Sequence, residues 1–126
     1  MSKETILVIE DNTFNMKMVR TLLQFGDYYV LEASAAEAGI ELARERLPDL
    51  ILMDIILPDI DGAEAVKLLQ ENEATTKIPV LFLSGIVTRD DEKPQTEVSV
   101  GGRQYPAIPK PFSVEQLLEA VRELIL

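Results

Sequence analysis

The chain has 126 residues, enough for one domain with a real core and too few for two. Its composition, 47% hydrophobic and 27% charged, is that of a soluble globular protein and argues against disorder. Twenty-two acidic against twelve basic residues give a formal charge of -10, which repels nucleic acid and anionic lipid and favours cationic partners or metal ions, while the lack of Cys and His excludes disulfides, thiol chemistry, ordinary zinc sites and imidazole catalysis.

Met1-Ser2-Lys3-Glu4 leads straight into an apolar strand. With no signal-peptide core and no apolar run of bilayer length, a cytoplasmic protein without direct nucleic-acid or membrane contact is expected. Ile6–Ile9 reads as the first strand, followed by a helix starting near Asn12 or Thr13 and ending at Gly26. Met18, Val19, Leu22 and Leu23 are assigned to its buried face. Phe14 and Met16 fall on the margins of that face, as packing residues first and as partner-docking residues second. A weaker strand around Tyr29–Leu31 precedes a helix from about Ala35 to Arg46, with Ile40 and Ala43 inward and Pro48 as its stop. Leu50–Met53 and Val80–Leu83 are strands. Between them a helix begins after Asp61-Gly62 and carries Val66 and Leu69 inward. Ser113 and Gln116 form a capping box for the last helix, whose Leu117, Leu118, Val121, Leu124 and Ile125 recur at helical spacing. Strand alternating with helix implies a mostly parallel sheet with helices on both faces.

Ligands of such sheets bind beyond the carboxyl ends of the strands. The residues found there are Glu10-Asp11, Asp54, Ser84 and, after a weak strand Ala107–Pro109, Lys110. Three neighbouring carboxylates repel one another unless a cation neutralises them, so a hard divalent ion with oxygen ligands is expected, and Mg2+ fits best. A phosphoryl group brought to that ion would meet the Lys110 ammonium and the Ser84 hydroxyl.

Glu10-Asp11, Asp54 with Leu57-Pro58 and Asp61-Gly62, Ser84-Gly85, and Lys110-Pro111-Phe112, in that order at successive strand ends, resemble the receiver domain of two-component response regulators along essentially the whole chain, 1–126. The resemblance implies a CheY-like, flavodoxin-like three-layer α/β sandwich whose five-stranded parallel sheet has the order 2-1-3-4-5. It implies that Asp54 takes a phosphoryl group from a histidine kinase or histidine phosphotransferase. Glu10, Asp11, Asp54 and the backbone carbonyl of Ile56 would hold Mg2+, Ser84 and Lys110 would bind the phosphoryl oxygens, and Pro111 would follow a cis peptide. Such a domain is a signalling switch or phosphorelay intermediate rather than an enzyme. Its output would pass to an effector protein, a covalently linked output domain or a homodimer partner.

Two departures from that pattern stand out. Receivers carry an aromatic residue three positions before the lysine, where this chain has Ala107; Tyr105, on the same side of the strand, is the candidate switch aromatic. The stretch from Ser84 to Lys110 also lacks the pattern of a fourth helix. Thr88, Asp90 and Asp91 can begin one turn that Pro94 stops. Then Val98-Ser99-Val100, Gly101-Gly102 and Arg103-Gln104-Tyr105 form a hairpin signal, so a short turn and a β-hairpin around Val98 to Tyr105 are expected in place of that helix, the return arm running into strand five, with a disordered loop as the competing reading. Two other readings remain open: an unphosphorylated interaction module on the same fold, and a small aspartate-nucleophile phosphatase. The second would want an acid two residues after the nucleophile, where this chain has Ile56.

Overall fold

The branched, leucine-rich runs become the parallel centre of a sheet in the computed structural model, which describes residues 3–84, 97–109 and 112–125. Strands β1 (Thr5–Ile9), β3 (Leu50–Asp54) and β4 (Val80–Ser84) are flanked by β2 (Tyr29–Ala33) on one side. On the other side stand β6 (Arg103–Pro109) and, outermost, β5 (Glu97–Val100). The order is β2-β1-β3-β4-β6-β5, parallel throughout except for the antiparallel β5–β6 pair. β3 and β4 are buried along their whole length, which is why their sequences are continuous apolar runs rather than alternating ones.

Helices α1 (Thr13–Phe25) and α4 (Val114–Ile125) cover one face of the sheet, against Ile6, Val8, Leu52 and Leu83. Helices α2 (Ala36–Arg46) and α3 (Gly62–Gln70) cover the other, against Leu7, Ile9, Met53 and Phe82. The capping box forms as the sequence implies: Gln116 N–H donates to Ser113 Oγ at 3.0 Å and Ser113 N–H to Gln116 Oε1 at 2.8 Å. Asn12 caps α1 through the N–H of Asn15, at 2.9 Å. No helix among the described residues is long and apolar enough to cross a membrane.

The buried stripe of α1 departs from expectation. Met16, Val19 and Leu23 are buried at i, i+3, i+7 spacing, while Met18 is 38% exposed. Met18 follows Met16 by about 200° of helical rotation, so the two methionines cannot share a face. Met16 is therefore core and is withdrawn as a docking residue. Phe14, 75% exposed, remains on the surface.

The hairpin forms where the glycines place it. Gly101 and Gly102 take φ of 56° and 82°, two consecutive left-handed residues that give a tight turn the same twist as its strands. The pairing runs from Val100 opposite Arg103 to Glu97 opposite Pro106. Because the return arm is itself the fifth parallel strand, its partner β5 extends the same sheet. The result is six strands, not five, with the expected 2-1-3-4 order intact. Val98 and Val100 face the α2/α3 side and are buried, while Glu97 and Ser99 face out. Two side chains fasten the hairpin. Gln70 Nε2, at the end of α3, donates to Val100 O at 3.1 Å and to the Tyr105 hydroxyl at 2.7 Å. The Arg103 guanidinium donates to Thr76 O at 2.7 Å and Thr76 Oγ1 at 3.1 Å. The turn expected at Thr88 to Pro94 lies outside the described residues.

Candidate functional site

β1, β3 and β4 all end at the same edge of the sheet, so the residues that close them meet there. Glu10 follows β1 and Asp54 closes β3; one carboxylate oxygen from each, together with one from Asp11, lie within 4.8 Å of one another. Glu10 is almost fully buried and its N–H donates to Ala33 O at 3.0 Å, which anchors the β1 end against β2. Asp54 is 9% exposed and Asp11 is open to solvent. Bringing three acids this close is unfavourable in isolation, and only oxygen ligands are offered, so the set suits a hard divalent cation.

Ser84 closes β4 with its side chain fully buried, and its Oγ has no hydrogen-bond partner among the described residues. A buried hydroxyl with no partner costs about 1–3 kcal/mol, and among the described residues Ser84 stands in that position. Ser84→Ala is accordingly expected to leave stability unchanged or raise it by about 1 kcal/mol in urea unfolding. Lys110 and Pro111, assigned to phosphoryl binding and to a cis peptide, lie outside the described residues.

The loop from Asp54 to α3 is tightly held. Ile55 N–H donates to Leu83 O at 3.3 Å and Gly62 N–H to Ile55 O at 2.6 Å, and Leu57 is buried beneath the loop. Asp61 caps α3 by accepting from Glu64 N–H at 2.8 Å. Ile56 turns its side chain out to solvent, 74% exposed, and its N–H makes a long 3.4 Å contact with Asp54 Oδ1. Gly62 sits directly under Asp54: a Cβ there would lie 2.7 Å from the Asp54 carbonyl oxygen and 3.0 Å from Ile55 Cα.

Two residues that sequence reasoning passed over hold this frame. Asp59 accepts from Ala36 N–H at 3.0 Å and Glu37 N–H at 2.9 Å, so it caps α2 from another loop. The donated bonds, from Glu37 first and then Ala36, hold its carboxyl below the ordinary value. The other is Gln70, the hairpin clamp. Tyr105 is brought to the inner face but not to the acids. Its ring lies edge-on to Phe82, with centroids 6.1 Å apart at 90°, and its hydroxyl is held by Gln70. Ala107, the position three before Lys110, pairs with Phe82, and Tyr105 lies two residues earlier in β6 with its side chain in the same core.

Beside the acids a cleft of about 340 Å3 runs along α1, lined by Asp11, Lys17 and the Arg20–Glu32 pair among others. Arg20 meets both carboxylate oxygens of Glu32, at 3.1 and 3.0 Å.

Residues 6–122 match the response regulator receiver domain family. The polar-differentiation response regulator DivK of Brucella ovis is 34% identical over 122 residues, which are 97% of this chain and 96% of that protein. Among solved structures, the receiver domain of the sensor histidine kinase PA1611 from Pseudomonas aeruginosa PAO1, with a magnesium ion coordinated in its active-site cleft, superposes with a TM-score of 0.83 at 23% identity, covering 98% of each chain. Vibrio cholerae chemotaxis protein CheY4 gives 0.80 at 24% identity, covering 98% of this chain and 99% of that one. At those identities the two structures speak for the fold.

Proposed function

We propose that this chain, which belongs to the response regulator receiver domain family, accepts a phosphoryl group on Asp54 from a phosphohistidine of a histidine kinase or histidine phosphotransferase. The observation that carries this reading is the cluster of Glu10, Asp11 and Asp54 at the strand ends, with the buried Ser84 hydroxyl, which has no partner among the described residues, closing the next strand. In the transfer, an Asp54 carboxylate oxygen forms a bond to phosphorus as the bond from phosphorus to the donor imidazole nitrogen breaks, and the imidazole leaves with that electron pair. A carboxylate is already a nucleophile at neutral pH, so no general base is needed, and the protein's part is placement. The oxygens of Glu10, Asp11 and Asp54 and the Ile56 carbonyl fit Mg2+, which when bound supplies positive charge to the phosphoryl oxygens. Ser84 Oγ–H gains an acceptor in a phosphoryl oxygen, and by family likeness Lys110 contributes its ammonium. Exposed Ile56 stands next to the acceptor as an apolar screen against hydrolytic water.

The product is a switch or relay intermediate, not a turnover enzyme. A doubly charged group on Asp54 draws Ser84 toward it, and β4 joins Ser84 to Phe82, against which Tyr105 and the hairpin pack. Phe14, exposed on α1 beside the acid edge, is the docking residue for the phosphodonor's helix. The recipient of the signal is an effector, a linked output domain or a second copy, reached through the hairpin face.

Incubation with a small acyl phosphate and Mg2+ should give a stable mass adduct that Asp54→Asn abolishes. Turnover without accumulation would instead indicate a phosphatase, and no reaction at all an interaction module.

A further inference from the structure

Asp59 joins two parts of the site that the chain itself leaves separate. The loop from Asp54 to Asp61 carries the acceptor and the Ile56 carbonyl. The other two carboxylates sit after β1, on a frame built from β1, β2 and α2. That frame is coherent: Ala33, Ala36 and Ile40 pack with Leu7 and Ile9, and Glu10 N–H is held by Ala33 O at 3.0 Å. Helix α2 has no side-chain cap of its own, because Ala35 occupies the cap position. Asp59 fills that place from the acceptor loop, each carboxylate oxygen taking one of two successive N–H groups, at 3.0 and 2.9 Å. Two bonds to two adjacent donors fix orientation as well as distance.

We propose that Asp59 is a positioning residue, which through the N-terminus of α2 sets the Asp54–Ile56 turn at the separation from Glu10 and Asp11 that lets all of them face one cation. The proposal rests on the receiver reading. It assigns to Asp59 a role in ion affinity that a helix cap would not have. Outer partners that orient metal ligands commonly matter about 10–100-fold in affinity.

The test is calorimetric titration of the full chain with Mg2+ alone. Asp59→Ala should weaken Mg2+ binding roughly tenfold, and Asp59→Asn, which keeps one acceptor oxygen, should fall between it and the wild type. Asp49→Ala is the matched control. Asp49 Oδ2 accepts from Thr5 N–H at 2.7 Å at the opposite end of β1, so its loss removes an acidic side chain and a backbone bond without touching the site. It should lower thermal stability comparably and leave Mg2+ affinity unchanged. Phosphorylation of Asp59→Ala by a small acyl phosphate should be slow at low Mg2+ and recover as Mg2+ is raised.

Wild-type affinity in Asp59→Ala would overturn the proposal and leave the receiver reading standing. Equal weakening in Asp59→Asn and Asp59→Ala would also overturn it, because charge alone would then account for the effect. A wild-type chain that binds no Mg2+ would remove both.

Discussion

Replacing Phe82 by alanine is expected to cost about 3–5 kcal/mol of stability. The ring is fully buried in β4, between Met53 of β3 and Ala107 of β6, and meets Tyr105 edge-on at 6.1 Å. On its other side, α3 comes so close that a Cβ on Gly62 would lie 3.0 Å from Phe82 Cε1. Two of its neighbours are poorly placed to fill the gap: Ala107 is small, and the Tyr105 hydroxyl is tied to Gln70 at 2.7 Å. Against a typical total of about 5–15 kcal/mol, this is roughly a fifth of the stability or more. Denaturant unfolding reads the loss directly, and a midpoint close to wild type would show that the site repacks. Phe82→Leu, which keeps most of the apolar volume, should lose markedly less.

Gly62→Ala should damage stability and phosphoryl acceptance together. Two of the three atoms that an added methyl would meet belong to the backbone, the Asp54 carbonyl oxygen at 2.7 Å and Ile55 Cα at 3.0 Å, so no rotamer change relieves the contact. Either α3 backs away or the turn bearing Asp54 is pushed out. Overpacking of this kind costs about 1–3 kcal/mol. Moving α3 also breaks the 2.6 Å bond from Gly62 N–H to Ile55 O, which closes the loop after Asp54. The adduct formed with a small acyl phosphate should therefore accumulate much more slowly in this variant. Ser84→Ala is expected to behave oppositely, with stability retained. A Gly62→Ala chain with native stability and native adduct formation would contradict the packing argument.

The features legible in the sequence are those whose partners are close along the chain or fixed by the sheet's own rules. Ser113 and Gln116 cap each other across a single helical turn. Gly101-Gly102 specifies a hairpin whose two strands are joined by those residues alone. Glu10, Asp11, Asp54 and Ser84 are legible because parallel strands must end together. The phase of α1 was harder. Met16 and Met18 are equally apolar, and only the packing against β1 decides that Met16 goes in. Asp59 and Gln70 were invisible because each bonds to backbone or to a hydroxyl more than twenty residues away, at Ala36 and Glu37 or at Val100 and Tyr105. One clue to Asp59 did exist. A helix opening at Ala35-Ala36 with no capping side chain needs its first N–H groups matched from elsewhere.

The gathering of three acids at one sheet edge has a consequence for the medium in which this protein is handled. In a chain of formal charge -10, folding concentrates like charge, so the folded state is penalised in dilute buffer and relieved as added salt shortens the range of repulsion to about 10 Å at 0.1 M. A cation that binds the folded acids and not the unfolded chain adds a second stabilisation, which grows with the logarithm of its concentration. Buffer ions are therefore thermodynamic components of this fold, and a melting temperature for it has meaning only beside the ionic composition in which it was taken.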